Sequence, residues 1–373
     1  MKKIKVMSIF GTRPEAIKMA PLVKEIEMEE SMESIVCVTA QHREMLDQVL
    51  ELFSIEPDYD LNIMKPGQSL TQITARALEG LDKVINEAKP DIILVHGDTT
   101  TTLAGSLAAF YHKVKIGHVE AGLRSGNKYS PYPEEMNRTL AGNLADMHFC
   151  PTKGNEYNLL NERIKGNIYL TGNTVIDALF KVIKDDYVFE DEKLNNIDYK
   201  NKKTILLTCH RRENLGQPME NIFNAIKKVV EEIENVEVIF PVHLNPKVRE
   251  LANLILGQVP RVNLIEPLDY EPFANLINKC DLILTDSGGI QEEAPALGKP
   301  VLVLRTETER PEAVEAGTVK MAGVEGHRVY EMTKKLLEDN HSYNEMANAV
   351  NPYGDGNACG KIIEAIKEYF KSE

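Results

Sequence analysis

The chain has no tryptophan, only 6% aromatic residues, and few cysteines for its 373 residues. The five cysteines are odd in number, scattered along the chain and without metal-type spacing: Cys37, Cys150, Cys209, Cys280 and Cys359. This pattern predicts reduced thiols, with no disulfide and no structural zinc.

Long apolar runs are also missing. The runs at 92–95 and 301–304 have strand length, far short of the roughly 20 residues that a membrane-spanning helix needs. The N-terminal MKKIKVMSIF imitates a signal peptide for a few residues, but Arg13 and Glu15 interrupt the apolar region and no small-residue cleavage site follows. We therefore expect a cytoplasmic protein without a membrane partner.

Positive charge is scarce. The 43 lysines and arginines face 57 acidic residues, which gives a net charge of −14. Sequence-independent binding to a nucleic-acid backbone is therefore not expected. An anionic ligand would need arginine, lysine and histidine clustered locally.

Short apolar strands alternate with helical segments along the chain. This alternation predicts an α/β fold with parallel sheets covered on both faces, and the length suggests two domains. A charged stretch at 184–203 follows a predicted connecting helix, and the strand–helix pattern restarts at Thr204. Glycine-rich turns at strand ends in both halves predict a ligand crevice at the carboxyl edges of the sheets.

The segment 281–304, DLILTDSGGIQEEAPALGKPVLVL, is typical of a strand, a glycine turn, a helix and a second strand. Ser287-Gly288-Gly289 would let the backbone turn sharply and approach a ligand, and a helix start over 290–297 would attract phosphate. The same turn also joins strands to helices without any ligand. Glu293, one turn into the helix, suits a ribose hydroxyl better than a phosphate.

Basic residues recur where strands are predicted to end. Arg13 and Lys18 flank the first turn, and the run 210–212, His-Arg-Arg, occupies the equivalent turn of the second half. A diphosphate would explain these cations. His243 and Arg310 add further positive groups, although a lone histidine or arginine usually caps or solvates something.

Three acids form a second set at neighbouring positions: Asp98, Glu120 and Glu134. They would serve as proton carriers around one sugar ring, or Asp98 would cap a helix and Glu134 satisfy a helix dipole. His96 and His118 stand close to them in the sequence, but their spacing matches no strong metal signature, so we expect no metal.

Long motifs run through nearly the whole chain: FGTRPEAIKMAPL, TAQHREMLDQVL, VHGDTTTTLA, GHVEAGLRSG, PYPEEMNRTL, TGNTVIDAL, HRREN, PVHLNP, LTDSGGIQEEAPALGKPVLVLR, TERPEAV and NPYGDG. In this order they resemble the non-hydrolysing UDP-N-acetylglucosamine 2-epimerases of bacteria and archaea. Only 184–203 and parts of 319–350 carry nothing diagnostic.

The resemblance implies a GT-B-like fold with two Rossmann-like domains and a ligand cleft between them. The implied ranges are an N-terminal domain at 1–172, on which a C-terminal helix at 357–373 packs back, a connecting helix and linker at 173–203, and a UDP-binding domain at 204–356. It implies a cytoplasmic homodimer that interconverts UDP-GlcNAc and UDP-ManNAc without a cofactor. The implied mechanism eliminates UDP to form 2-acetamidoglucal and re-adds it, supplying ManNAc for cell-surface polysaccharide synthesis.

The resemblance also assigns site residues. The catalytic set is Asp98, Glu120, Glu134 and His210. The substrate-binding set is Arg13, Lys18, Leu268, Phe273, Ser287, Gly288, Gly289, Glu293 and Arg310. A second UDP-GlcNAc, acting as an allosteric activator, would be bound by Gln41, Gln68, Glu134, Arg211 and His243.

Three alternatives stay open at this point. A hydrolysing epimerase shares the fold and releases free ManNAc and UDP, and a GT-B glycosyltransferase would use a UDP-sugar donor. A non-catalytic nucleotide-sugar sensor would bind without turnover, although Asp98, Glu120 and Glu134 argue against it. The sequence leaves open which acid acts on which face of C2.

Overall fold

The computed structural model describes residues 2–40 and 43–372. It divides into two compact units, one running to Lys181 and resuming at Tyr353, the other spanning Val182–Pro352. Among the described residues, no helix combines the length and the apolar character that crossing a membrane requires.

The first unit is built on a parallel sheet of seven strands in the order β3-β2-β1-β4-β5-β6-β7. Its strands are β1 Ile4–Phe10, β2 Met32–Val38, β3 Tyr59–Asp60, β4 Ile92–His96, β5 Lys115–Val119, β6 Met147–Cys150 and β7 Asn167–Leu170. The helices are α1 Arg13–Met28, α2 Arg43–Leu52, α3 Leu70–Ala88, α4 Thr100–Tyr111, α5 Glu134–Leu144, α6 Lys153–Asn161 and α7 Thr174–Val182.

The second unit carries a parallel sheet of six strands in the order β10-β9-β8-β11-β12-β13. Its strands are β8 Lys203–Thr208, β9 Val236–Pro241, β10 Val262–Ile265, β11 Leu282–Thr285, β12 Val301–Val303 and β13 Val319–Met321. The helices are α8 Glu192–Asn195, α9 Gln217–Glu232, α10 Pro246–Leu256, α11 Tyr270–Lys279, α12 Ile290–Ala296, α13 Pro311–Glu315, α14 Gly326–Glu338 and α15 Asn340–Ala347, with a short 3-10 helix at Arg212–Asn214.

The two sheets have the same winding. In each, the third, second and first strands are followed by the fourth, fifth and sixth, so the strand order reverses beside the first strand. The α/β fold class with two Rossmann-like parallel sheets is confirmed. In such sheets ligands bind at the carboxyl ends of the strands that flank the reversal, which here are β1 with β4 and β8 with β11.

The central strands are apolar because helices cover both faces of each sheet. The whole of β4, IILVH, is buried, as is β11, LILT. Helix starts follow the strands closely, as the capping residues dictate. Thr12 and Glu15 form a capping box before α1, and the Thr99 hydroxyl accepts the backbone N–H of Thr102 at the start of α4.

Several elements were not predicted. The segment 57–66 contains the two-residue edge strand β3, which pairs with Cys37 and Val38. Helix α6 and strand β7 also lack a clear apolar pattern. Helix α6 begins instead at a capping box between Thr152 and Asn155.

The chain returns to the first unit in its last helix, α16 Ala358–Ser372. The carboxylate of Asp177 accepts the backbone N–H groups of Ala358 at 3.2 Å and Cys359 at 2.9 Å, which begins the helix. Lys367 Nζ then lies 2.8 Å from Glu29, the residue directly after α1. These contacts fix α16 within the first unit.

The unit boundaries differ slightly from the sequence-based ranges. Residues 182–203 group with the second unit, where Asn275 accepts the Lys184 backbone N–H at 2.7 Å and donates to the Val182 carbonyl at 3.0 Å. Residues 353–356 group with the first unit, where the Asn173 N–H donates to the Tyr353 carbonyl at 2.7 Å.

Candidate active site

The carboxyl end of β1 is tied to that of β4 by one buried carboxylate. Glu15 accepts the backbone N–H groups of Gly11 and Thr12 and, at 2.6 Å, the hydroxyl of Thr99. Burial raises the pKa of Glu15, and these donors oppose that rise. The two turns that flank the strand reversal are therefore held in a fixed relation.

Gly11 makes this close arrangement possible. A Cβ at residue 11 would come within 1.9 Å of the Thr39 hydroxyl and 2.8 Å of the Thr101 hydroxyl, two groups that are hydrogen-bonded to each other. The glycine is required by packing inside the protein. It leaves Arg13 as the first residue of α1, half-buried at the carboxyl end of β1.

Glu120 directly follows β5, and its carboxylate lies close to three polar side chains. Its Oε1 accepts hydrogen bonds from Lys18 Nζ on α1 and from Asn173 Nδ2, the latter at 2.9 Å. Its Oε2 lies 3.6 Å from His96 Nε2 at the end of β4. Glu120 also has a φ of +58°, a left-handed conformation that is unfavourable for a residue with a Cβ. Such strain is concentrated at functional sites.

Asp98 lies in the turn after β4, and Arg138 on α5 reaches it with Nη1 at 3.1 Å from Oδ2. Burial, the largest cause, and the charge of Glu120 raise the pKa of Asp98, while Arg138 and Lys18 lower it. Glu134, the half-buried first residue of α5, contributes a weaker upward effect on the same pKa. The first unit thus brings together Lys18, Asp98, Glu120 and Glu134.

Two histidines pack behind this cluster. Burial lowers the pKa of His96 to about 4 and that of His118 to about 4. His118 Nε2 lies 2.7 Å from the Gly97 carbonyl and so supports the turn that carries Asp98. Both rings are neutral near pH 7, and in a neutral imidazole one ring nitrogen donates and the other accepts.

In the second unit, Asp286 connects the turns after β8 and β11. This fully buried carboxylate accepts the backbone N–H groups of His210 and Arg211, both at 2.8 Å, and the Asn214 amide at 3.0 Å. The His210 ring nitrogen Nδ1 lies 3.2 Å from Asp286 Oδ1. One internal charge therefore fixes the backbone from which two basic side chains project.

A cavity of about 300 Å³ opens at this edge of the second sheet. It is lined by Thr208, Cys209, His210, Pro241, His243, Pro267, Leu268, Phe273, Ser287, Gly289, Ile290 and Glu293. The rings of His210 and His243 stack with centroids 5.3 Å apart. Burial lowers the pKa of His210, and the charge of Asp286 opposes that shift.

The chain turns at Gly288 and Gly289, directly before α12, as expected, but the turn does not use the left-handed region. Gly289 has φ −61° and ψ −39°, ordinary helical values, and Gly288 is not in the left-handed region either. A Cβ at Gly288 would approach Arg211 Nη2 only to 3.9 Å, and one at Gly289 would meet Glu293 Oε2 at 3.6 Å. The protein itself has room for side chains here, so the bare backbone leaves space for a ligand.

Two consecutive acids of α12, Glu292 and Glu293, make different contacts. Arg310 Nε donates to Glu292, a buried residue of α12, and the Arg310 backbone N–H donates to the Thr308 hydroxyl at 3.1 Å. Burial and the neighbouring Glu293 raise the pKa of Tyr270 far above its ordinary value. Helix α12 thus presents Glu293 to the cavity and Glu292 to Arg310.

The residues expected to hold a second nucleotide sugar are distributed over both units. Gln68 hydrogen-bonds within its own loop, accepting the Lys65 N–H at 2.6 Å and donating to the Ile63 carbonyl at 2.8 Å. Arg211 Nε donates to the Asp286 carbonyl at 3.3 Å. Gln41 lies outside the described residues.

Among the described residues, one cluster has metal-ligand composition, formed by Glu25, Asp177 and Cys359. Asp177 is already committed to two N–H groups of α16, and burial raises the pKa of the Cys359 thiol far above its ordinary value. Hydrogen bonds that begin a helix account for this cluster without an ion.

The arrangement is suited to proton transfer in the first unit and to binding an anion in the second.

The sequence predicted the polar groups at strand ends but not the residues that hydrogen-bond to them or to their turns: Glu15, Arg138, Asn173 and Asp286. For Glu15 a signal was present, because Thr12-x-x-Glu15 is a capping-box pattern. Asp286 stood directly before Ser287 and was read as part of the strand–turn segment.

Comparison with known proteins identifies one family. The family model described as UDP-N-acetylglucosamine 2-epimerase matches residues 24–367. UDP-N-acetylglucosamine 2-epimerase of Bacillus subtilis is 58% identical over 98% of this chain and 96% of its own length. The Escherichia coli K12 enzyme of the same name is 57% identical over 98% of both chains. The solved structure of UDP-GlcNAc 2-epimerase from Neisseria meningitidis, bound to UDP-GlcNAc, is 51% identical, with a TM-score of 0.86 over 98% of this chain and 100% of its own.

Proposed function

The chain belongs to the UDP-N-acetylglucosamine 2-epimerase family, and we propose that it interconverts UDP-GlcNAc and UDP-ManNAc by inverting C2 of the sugar. The observation that carries this proposal is the group formed by Lys18 on α1 with Asp98 and Glu120, which follow β4 and β5. Inversion at C2 needs one group to take a proton and another to deliver one, and this edge of the sheet offers both.

The reaction proceeds by elimination and re-addition. The C1–O bond to UDP breaks, the C2 proton passes to a carboxylate, and the C1–C2 double bond of 2-acetamidoglucal forms. The diphosphate oxygen then adds back to C1 while C2 receives a proton on the other face. The C2 proton is weakly acidic, so departure of UDP with positive charge developing at C1 makes its removal feasible.

The second unit binds the nucleotide. Ser287, Gly288 and Gly289 offer backbone to the phosphates, and His210 stabilises the departing diphosphate. Leu268 and Phe273 contact the uracil, and Glu293 accepts ribose hydroxyls. The apolar lining beside Phe273 and the carboxylate of Glu293 lie on the same cavity, which supports this division.

The first unit acts on the sugar. Asp98 and Glu120 exchange protons with C2, and Glu134 is the third acid available at this edge. The raised pKa of Asp98 favours its protonated form, suited to delivering a proton, whereas Lys18 and Asn173 favour an ionised Glu120. Arg13, Lys18 and Arg310 supply positive charge for the diphosphate.

Regulation and assembly are also part of the proposal. A second UDP-GlcNAc binds as an activator through Gln41, Gln68, Glu134, Arg211 and His243. The stacking of His243 on His210 supports coupling, because a ligand on one ring would affect the position of the other. The working form is a homodimer in the cytoplasm, and its product supplies ManNAc for cell-surface polysaccharide.

Product analysis by proton NMR tests the proposal. The purified chain incubated with UDP-GlcNAc should accumulate UDP-ManNAc until the two nucleotide sugars reach a constant ratio, with no free sugar. Free ManNAc with UDP would identify a hydrolysing enzyme. Binding without any new signal would favour a glycosyltransferase lacking its acceptor, or a sensor.

A further inference from the structure

The two oxygens of the Glu120 carboxylate have different surroundings. Oε1 is held by Lys18 and by the amide of Asn173. Oε2 points toward the end of β4, where Gly97 is so close that a Cβ on it would come within 3.2 Å of this oxygen. The polar side chain nearest Oε2 on that strand is His96.

His96 is placed with one ring nitrogen directed at Glu120. The residue is 3% exposed, and its Nε2 lies 3.6 Å from Oε2. Within the part of the chain that the structure describes, Nε2 has no hydrogen-bond partner. A buried polar atom without a partner is costly, and 3.6 Å is a distance that a small movement of Glu120 closes. Hydrogen bonds of this kind are often long before substrate binds.

The neighbouring histidine provides a contrast. His118, one strand away, is also fully buried, but its Nε2 has the Gly97 carbonyl at 2.7 Å. Its ring therefore supports the turn. His118 on β5 therefore has a structural partner, whereas His96 on β4 faces the Glu120 carboxylate.

We propose that His96 is a positioning residue for Glu120, donating a hydrogen bond from the Nε2–H of its neutral ring to Oε2 and so holding the carboxylate ionised and directed. This inference deepens the proposed function and rests on it. Glu120 then has donors on both oxygens, which favours its role as the base that removes the C2 proton. The neutral state follows from burial, which lowers the pKa of His96 to about 4.

Other charges also act on this pair. Lys18 from α1 lies against Glu120 and lowers the pKa of His96. The pKa of Asp98, in the turn after β4, is raised by Glu120 and by Glu134 on α5 and lowered by Arg138 on α5. These groups are unchanged when only His96 is replaced, so a comparison of variants isolates the contribution of the imidazole.

A titration that does not depend on turnover tests the inference. The substrate-free full chain, labelled with carbon-13 at glutamate carboxyls, is titrated by NMR, and a Glu120→Gln variant identifies the Glu120 signal by its absence. His96→Leu should raise the pKa of Glu120 by about one unit, because loss of a donor and a more apolar site both disfavour the anion. His96→Gln, which keeps an N–H donor, should restore most of the difference.

The matched control is His148→Leu. His148 is another buried histidine, on β6 beside His118, and both its ring nitrogens lack partners among the described residues. This variant should leave the Glu120 titration unchanged. His96→Val serves in place of His96→Leu if that variant does not fold, as judged by its melting temperature.

Kinetics supply a second readout. The acid limb of kcat/KM for UDP-GlcNAc should move to higher pH by the same amount in His96→Leu, with KM changed less than about twofold. An unchanged or lowered Glu120 pKa in His96→Leu would overturn the inference. A wild-type chain that fails to epimerise would contradict the proposed function, while the NMR titration would still decide the His96–Glu120 interaction.

Discussion

Asp286 shows how a single buried charge organises a site without entering it. Its carboxylate is inaccessible to solvent and accepts two backbone N–H groups at the β8 turn and the Asn214 amide. Asn214 Nδ2 also lies 3.0 Å from the Leu304 carbonyl after β12. Three strand ends therefore depend on this acid, and the direction of the His210 ring depends on it as well.

Replacing Asp286 by asparagine should weaken UDP binding at least about tenfold, a loss of about 1.4 kcal/mol. The amide carries a weaker acceptor and places N–H donors against other N–H donors, so the basic turn would shift. Isothermal titration of the full chain with UDP measures the effect. The matched control is Asp185→Asn, because Asp185 is exposed and lies in the segment that connects the two sheets. This variant should bind UDP as wild type does. Unaltered UDP affinity in Asp286→Asn would contradict this role.

The polar residues that follow strands could be predicted, whereas the residues that fix their turns by hydrogen bonds could not. Glycines, histidines and acids after apolar runs stand out in a sequence, as Asp98 and Ser287 do. The partners of Asp286 are separated from it by 76, 75 and 72 residues. Only the parallel pairing of β8 with β11 brings them together, and no local pattern records that pairing.

At the level of elements, glycines in the two strand–helix turns have opposite roles. Gly11 follows β1 in a space that its neighbours Thr39 and Thr101 close completely. Gly289 directly precedes α12 in ordinary helical geometry with room for a side chain. Packing requires the first glycine, and the proposed function assigns the second to nucleotide binding.

The variants Gly11→Ala and Gly289→Ala should separate these roles. Gly11→Ala should cost about 1–3 kcal/mol of the free energy of unfolding, because the added methyl group overlaps the Thr39 hydroxyl. Gly289→Ala should change that free energy by less than about 1 kcal/mol yet weaken UDP binding about tenfold or more. Denaturant unfolding and UDP titration on both variants check the pair. Equal UDP affinity in Gly289→Ala and wild type would refute the ligand role.

Three adjacent strands each carry a buried histidine, and together they make the first unit sensitive to acid. Burial lowers the pKa of His96 and His118 to about 4 and that of His148 to about 3, from an ordinary 6.5. Between the folded and the unfolded pKa values, the unfolded chain binds more protons than the folded one. These histidines therefore cost no stability above pH 6.5, and they lower the free energy of unfolding as the pH drops toward 4.

His148→Leu should reduce this loss. Between pH 7 and pH 5 each such histidine contributes about 2 kcal/mol to the decline in the free energy of unfolding, so the variant should lose about that much less than wild type. Denaturant unfolding of both proteins at the two pH values measures the difference. An identical decline would mean that His148 takes up no proton on unfolding.

Strands and helices with strong patterns were predicted closely: the apolar runs at 92–95 and 301–304 form β4 and β12, and the helix expected over 290–297 is α12. Those that were missed have few apolar residues or depend on a neighbour. Strand β3 has only two residues and exists because β2 offers an unpaired edge. The length of β3 is below what periodicity can detect, so its existence follows from the sheet and not from its own sequence.

Across the whole molecule, two similarly wound sheets carry different groups at their strand reversals. The first has the acids Asp98 and Glu120, and the second has a partly apolar cavity lined by His210 and His243. In the proposed function, the acids act on the sugar ring and the cavity binds the nucleoside diphosphate. The net charge of −14 gives no sign of this division, because it averages over the whole sequence.

The proposed second site predicts a distinctive kinetic behaviour. Starting from UDP-ManNAc alone, the reaction should stall or show a lag, because the activator is absent, and traces of UDP-GlcNAc should relieve it. UDP-glucose at the same concentration, which lacks the acetamido group, is the control. Hyperbolic kinetics with UDP-ManNAc, without any effect of UDP-GlcNAc, would argue against the activator.

Light scattering on the same sample should give twice the 41.9 kDa of one chain if the working form is a dimer.

In the proposed function, the acids of the first unit exchange a proton at C2 of the sugar. This exchange can be followed by incubating the chain with UDP-GlcNAc in deuterated water and analysing the products by proton NMR and mass spectrometry. UDP-ManNAc should carry deuterium at C2 from its first appearance. UDP-ManNAc that retains the original C2 proton would show that the C2–H bond is not broken.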